Sequence, residues 1–99
     1  MTRHEYLTLI CNVVNRADGT EHLPVTSPVV AMFAKGFMPS DPDGEQSGDN
    51  MTSLEIVTAL EDICQLSTTD VALVMSYLGF RLTVNSYRGV EWSMTAYKS

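Results

Sequence analysis

The feature that most constrains this chain is a change of period. From Met51 to Leu78 apolar residues recur at helical spacing, and from Phe80 to Met94 they alternate with polar ones. Thr52-Ser53-Leu54-Glu55 fits a capping box, in which a hydroxyl and a carboxylate three residues on satisfy two orphan amides reciprocally. Ile56, Val57, Leu60, Ile63 and Cys64 then form one stripe of a helix that Leu66 ends. Ser67, with Asp70 at the third position, opens a second helix over Thr68 to Leu78. Val71, Val74, Met75 and Leu78 are its inward stripe, and Gly79 supplies the left-handed residue that stops it.

Beyond Gly79 the pattern is that of a hairpin. Phe80, Leu82 and Val84 alternate with Arg81, Thr83 and Asn85, and Val90, Trp92 and Met94 alternate with Glu91, Ser93 and Thr95. Asn85-Ser86-Tyr87-Arg88-Gly89 is the turn-rich connection. The apolar set Phe80, Leu82, Val84, Val90, Trp92 and Met94 is expected to face inward, because a lone hairpin is marginal in water and needs the helices behind it.

The first half adds two helices. Thr2-Arg3-His4-Glu5 is another capping-box pattern, opening a helix to about Arg16 with Tyr6, Leu9, Ile10, Val13 and Ala17 as its stripe, widened by Leu7, Cys11 and Val14. Glu21 to Thr26 reads as a short edge strand interrupted by Pro24. Ser27-Pro28 reads as N-cap and first helical residue, and Val29, Val30, Phe33 and Ala34 follow in register until Gly36, with Phe37 and Met38 folding back onto the helix. Residues 39–50 carry four acids, no base, two prolines and two glycines, the composition of a mobile acidic loop.

Ninety-nine residues suffice for one domain, 1–99, and not two. Cys11 and Cys64 both fall in apolar helical stripes, which reads as two buried thiols in a reducing, cytoplasmic setting, with a disulfide between them as the alternative. No run approaches the ~20 apolar residues of a membrane span, and no signal-peptide pattern opens the chain. The fold expected is α/β, mainly α: a winged helix-turn-helix with extra N-terminal helices and a C-terminal hairpin, its core including Leu9, Ile10, Val13, Phe33, Val57, Leu60, Ile63, Val74, Leu78, Leu82 and Trp92.

The segment from Asp70 to Arg81, followed by Arg88-Gly89-Val90-Glu91-Trp92, resembles the ending of many winged-helix modules. It resembles in particular the small C-terminal modules of primase-like and virulence-associated-E-like proteins of phages and mobile elements. The likeness covers about Met51 to Met94 and rests on a Leu-Gly-Phe corner and a Gly-x-x-Trp wing strand. Where such helices usually present basic residues, this chain has Leu73, Ser76 and Tyr77.

Catalytic patterns are lacking. Asp41, Asp43, Glu45 and Asp49 do not have EF-hand spacing, so no metal is expected, and no cofactor motif or nucleophile constellation is present. His4 and His22 have no partner in reach by sequence. Two binding readings remain. In one, Leu73 and Tyr77, four apart on the second helix, join Tyr87 and Arg88 at the hairpin tip as a surface for a protein partner or a second copy; packing of Leu73 and Tyr77 under the N-terminal helices is the competing possibility. In the other, Thr68, Thr69, Ser76, Arg81 and Arg88 contact nucleic acid. The formal net charge of −6 favours the protein partner, because affinity for DNA rests mainly on Lys and Arg contacts to phosphate.

Overall fold

The computed structural model describes residues 2–16, 26–41, 49–87 and 89–97. Within these the protein is mixed α/β, in the order α1 (Arg3–Arg16), α2 (Ser27–Ala34), β1 (Phe37–Pro39), α3 (Ser53–Leu60), α4 (Thr68–Tyr77), β2 (Arg81–Asn85) and β3 (Gly89–Ala96). The strands form an antiparallel sheet in the order β1-β3-β2. β3 serves both neighbours: Thr95 and Ala96 pair with Met38 and Phe37, while Leu82 pairs with Trp92 and Val84 with Val90.

Both capping boxes form. The Thr52 hydroxyl accepts from the Glu55 amide at 3.1 Å and the Glu55 carboxylate accepts from the Thr52 amide at 2.9 Å. Thr2 and Glu5 make the same reciprocal pair, and the Thr2 amide holds the Glu5 carboxyl below the usual glutamate range. Ser67 caps α4 through the Asp70 amide at 3.1 Å. At the other end of α4, Gly79 has φ +93°, the Phe80 amide donates to the Met75 carbonyl and the Gly79 amide to Ser76. That is a complete Schellman closure, and it turns the chain straight from helix into β2.

The core gathers Tyr6, Ile10 and Val13 of α1, Val30, Ala31 and Ala34 of α2, Ile56 and Leu60 of α3, Val71, Val74 and Met75 of α4, and Leu78, Phe80, Trp92 and Met94. α1 belongs to this core. The Tyr6 hydroxyl donates to the Ala34 carbonyl at the end of α2, and its ring meets Phe80 edge-on at 5.9 Å between centroids. Arg3 donates to the Lys35 and Phe37 carbonyls and lies 3.8 Å over the centre of the Tyr97 ring. One arginine thus joins the start of α1, the α2–β1 turn and the end of β3.

Several expectations are corrected. α3 ends at Leu60, not Leu66; residues 61–63 form a turn and Ile63 is 73% exposed rather than core. Leu66, beyond that turn, is buried. Ser27 does not cap α2: Thr26 holds that position without a side-chain capping bond, and Ser27 is the first helical residue, fully buried. The third strand is Phe37–Pro39, with Pro39 on an outer strand as its missing N–H requires; residues 21–25 of the strand expected there, and His22, lie outside the described residues. Cys11 is exposed and Cys64 half-buried, both as free thiols. Of the acidic loop, residues 42–48 lie outside the described residues, while Asn50 accepts from the Met94 amide and Asp49 from the Ala96 amide, both at 3.0 Å.

The largest correction concerns the hairpin. Phe80, Trp92 and Met94 are buried as expected, but Leu82, Val84 and Val90 are 53%, 80% and 53% exposed. Glu91 and Ser93, expected outward, are buried. Near Trp92 the sheet packs on the helices; beyond it the hairpin leaves the core, and alternation alone carries no information about where that happens.

Two outcomes follow for stability. Leu78→Ala, at a fully buried position, is expected to cost about 2–5 kcal/mol in chemical denaturation, whereas Ile63→Ala is expected to cost under ~0.5 kcal/mol; similar losses at both would contradict the described turn. Burial pushes the Tyr6 phenol well above its ordinary value, partly opposed by Arg3. A raised folded value favours the neutral form, so the contribution is fully present below about pH 10 and is lost as pH rises beyond the unfolded value. Tyr6→Phe is therefore expected to flatten the alkaline fall in stability, measured as Tm between about pH 8 and 11.

Candidate interaction surfaces

α4 lies with one side in the core, where Val71, Val74 and Met75 are buried against the other helices. The opposite side is open to solvent. Thr68, Thr69 and Ser76 are exposed, and Leu73 and Tyr77 are 45% and 37% exposed. The Leu73–Tyr77 pair is therefore partly covered and not buried, on a helix against which α2 packs closely. The helix carries no lysine or arginine, and its single charge, Asp70, sits in the first turn beside Thr26. What this face offers is two apolar side chains one turn apart among hydroxyls, a chemistry suited to a neutral, partly apolar surface.

The hairpin provides the second surface. Arg81 is exposed at the start of β2, and Tyr87 at the tip is 96% exposed. The Tyr87 amide donates to the Asn85 side chain at 2.8 Å, which fixes the loop, and Gly89 has φ +86°. Arg88 lies outside the described residues. Leu82, Val84 and Val90 stand on the face that holds Trp92 nearer the core. Alternation with polar residues favours an inward setting for all three, so their pattern alone does not mark this apolar strip. A usable signal was the excess of apolar positions over what two short helices can cover.

A third apolar surface lies across α1, α2 and the end of α3. An open groove of about 350 Å³ is lined by Leu7, Ile10, Cys11, Val14 and Met32, together with Asn15 and Lys35. Met32 also lines an adjoining depression with Pro28, Val29, Phe33, Leu60 and Ile63. Among the described residues no three His, Cys, Asp or Glu side chains converge as a metal site, and no helix is long and apolar enough to cross a membrane. His4 is exposed at the start of α1.

No protein-family model, no curated protein and no solved structure matches this chain.

Proposed function

We propose that this protein is a non-enzymatic winged helix-turn-helix module that binds protein, a partner or a second copy, through the outer face of α4 and the hairpin tip. The winged-helix reading is supported by the order of elements: α3 and α4 joined by a short corner, a hairpin following α4 without a linker, and an earlier strand placed beside β3. Its resemblance to modules of phage and mobile-element proteins is a reading of sequence and sets the biological context proposed. The observation that carries the protein-binding reading is the exposed Leu73–Tyr77 pair on a helix without a basic residue. A helix that reads DNA needs cations for the phosphates, and an apolar pair on a helix without lysine or arginine supplies none.

DNA binding is the second reading. It is favoured by the exposure of Thr68, Thr69 and Ser76 on α4 and of Arg81 on β2, and it works against the net charge of −6. A titration against mixed-sequence duplex DNA separates the two. Protein recognition predicts weak binding with a shallow salt slope; tight binding that falls steeply between about 50 and 200 mM salt would reverse the preference. Leu73→Lys places an ammonium at an exposed position, so Tm is expected to stay within about 2 °C of the parent while association, read by sedimentation or light scattering, weakens. A large fall in Tm without change in mass would return Leu73 to the core.

A further inference from the structure

β2 presents an open strand edge. Opposed residues in an antiparallel ladder alternate between bonded and non-bonded pairs. The Trp92 amide donates to the Met51 carbonyl at 2.8 Å, not to its opposite number Leu82. Leu82–Trp92 is therefore a non-bonded pair, Val84–Val90 two residues on is another, and the amides and carbonyls of Leu82 and Val84 point away from β3. β2 is an outer strand, and no described group bonds to those outward amides and carbonyls. The strand Arg-Leu-Thr-Val-Asn contains neither proline nor lysine, the residues that usually blunt such an edge, and its one charge lies at its first position.

We infer that β2 is a self-pairing edge, through which two copies of this chain join antiparallel strands about a two-fold axis at Thr83. The strand is complementary to itself in that register. Leu82 meets Val84 of the second copy on both sides of the axis, giving four backbone hydrogen bonds, and Arg81 meets Asn85, so no like charges oppose. Leu82, Val84 and Val90 of both copies then share one face, turning two exposed apolar strips into a continuous one. Charge does not oppose the pairing at the strand itself: β2 carries no acid, and the carboxylate nearest the axis, that of Glu91 opposite Thr83 on β3, is buried. The interface goes beyond the proposed α4 surface and does not use Leu73 or Tyr77.

The register makes a covalent test available. Thr83 faces its own copy as a non-bonded pair, where α-carbons lie about 4.5 Å apart, within disulfide reach. In a Cys11→Ser, Cys64→Ala background, Thr83→Cys is expected to form a disulfide-linked dimer under mild oxidation, and Ser86→Cys, exposed but beyond the paired strand, is expected to link far less. Val84→Pro removes one outward amide while leaving the bonds to β3, so sedimentation over a concentration series is expected to show the parent doubling in mass and this variant remaining monomeric. Trp92 fluorescence, unchanged in Val84→Pro, verifies that the hairpin persists. A parent that stays monomeric throughout, or equal cross-linking through Thr83→Cys and Ser86→Cys, overturns the inference. Association lost in Leu73→Lys but kept in Val84→Pro, without the Thr83 cross-link, also overturns it and leaves the α4 reading standing.

Discussion

Trp92 is the point on which the two halves of this protein depend. Its indole N–H donates to the Ser53 hydroxyl at 2.9 Å and its backbone N–H to the Met51 carbonyl. The side chain is buried. One residue of β3 thus fixes the start of α3, and through the Thr52–Glu55 box the direction in which α3 leaves. Because α4 packs on α3 and closes through Gly79 directly into β2, which pairs back to β3, the anchor completes a loop of constraints. An indole suits the role because it couples a large apolar area to a donor that must find an acceptor when buried.

The local chemistry of the fold was legible in the sequence where a few adjacent residues decide the outcome. Thr2 with Glu5, Thr52 with Glu55, Ser67 with Asp70, and Gly79 each act within four residues, and each forms the cap or stop that its pattern specifies. What was not legible depends on partners distant in sequence. Ile63 continues the apolar stripe of α3, yet the helix has already ended because the chain must turn to bring Leu66 inward. Phe37 to Pro39 has no strand-like alternation and becomes a strand because the far end of β3 offers it a ladder. Leu82 and Val84 match the inward pattern as well as Trp92 does; only the reach of the helices beneath them decides which are covered.

The candidate sites divide along the same line. Leu73 and Tyr77 were placed outside by helical phase, a local property, and they are exposed. The apolar strip of the hairpin is a property of the assembled fold, and phase pointed the wrong way for it. α1 is instructive in the opposite sense, since its broad apolar girth announced burial without saying against what. The answer lies in Tyr6, which reaches both Ala34 and Phe80, and in Arg3, which holds the α2–β1 turn and Tyr97 together.

Charge finally ranks the surfaces that packing leaves open. The groove across α1 and α2 is lined in part by Lys35, whereas α4 and β2, which hold one acid between them, Asp70 in the first turn of α4, carry the exposed Leu73, Tyr77, Leu82 and Val84. An acidic chain with a neutral, partly apolar face repels most of its own copies and most anionic polymers, and it leaves that face as the place where close approach costs least. Nucleic acid gains little there, because the described part of that face carries a single arginine, Arg81, and phosphate binding depends on several cations acting together. A protein surface gains more, since desolvating Leu, Val and Tyr is favourable without any charge to neutralise. Electrostatics and apolar exposure therefore point to the same two elements, and the proposed use of α4 and the hairpin rests on that agreement.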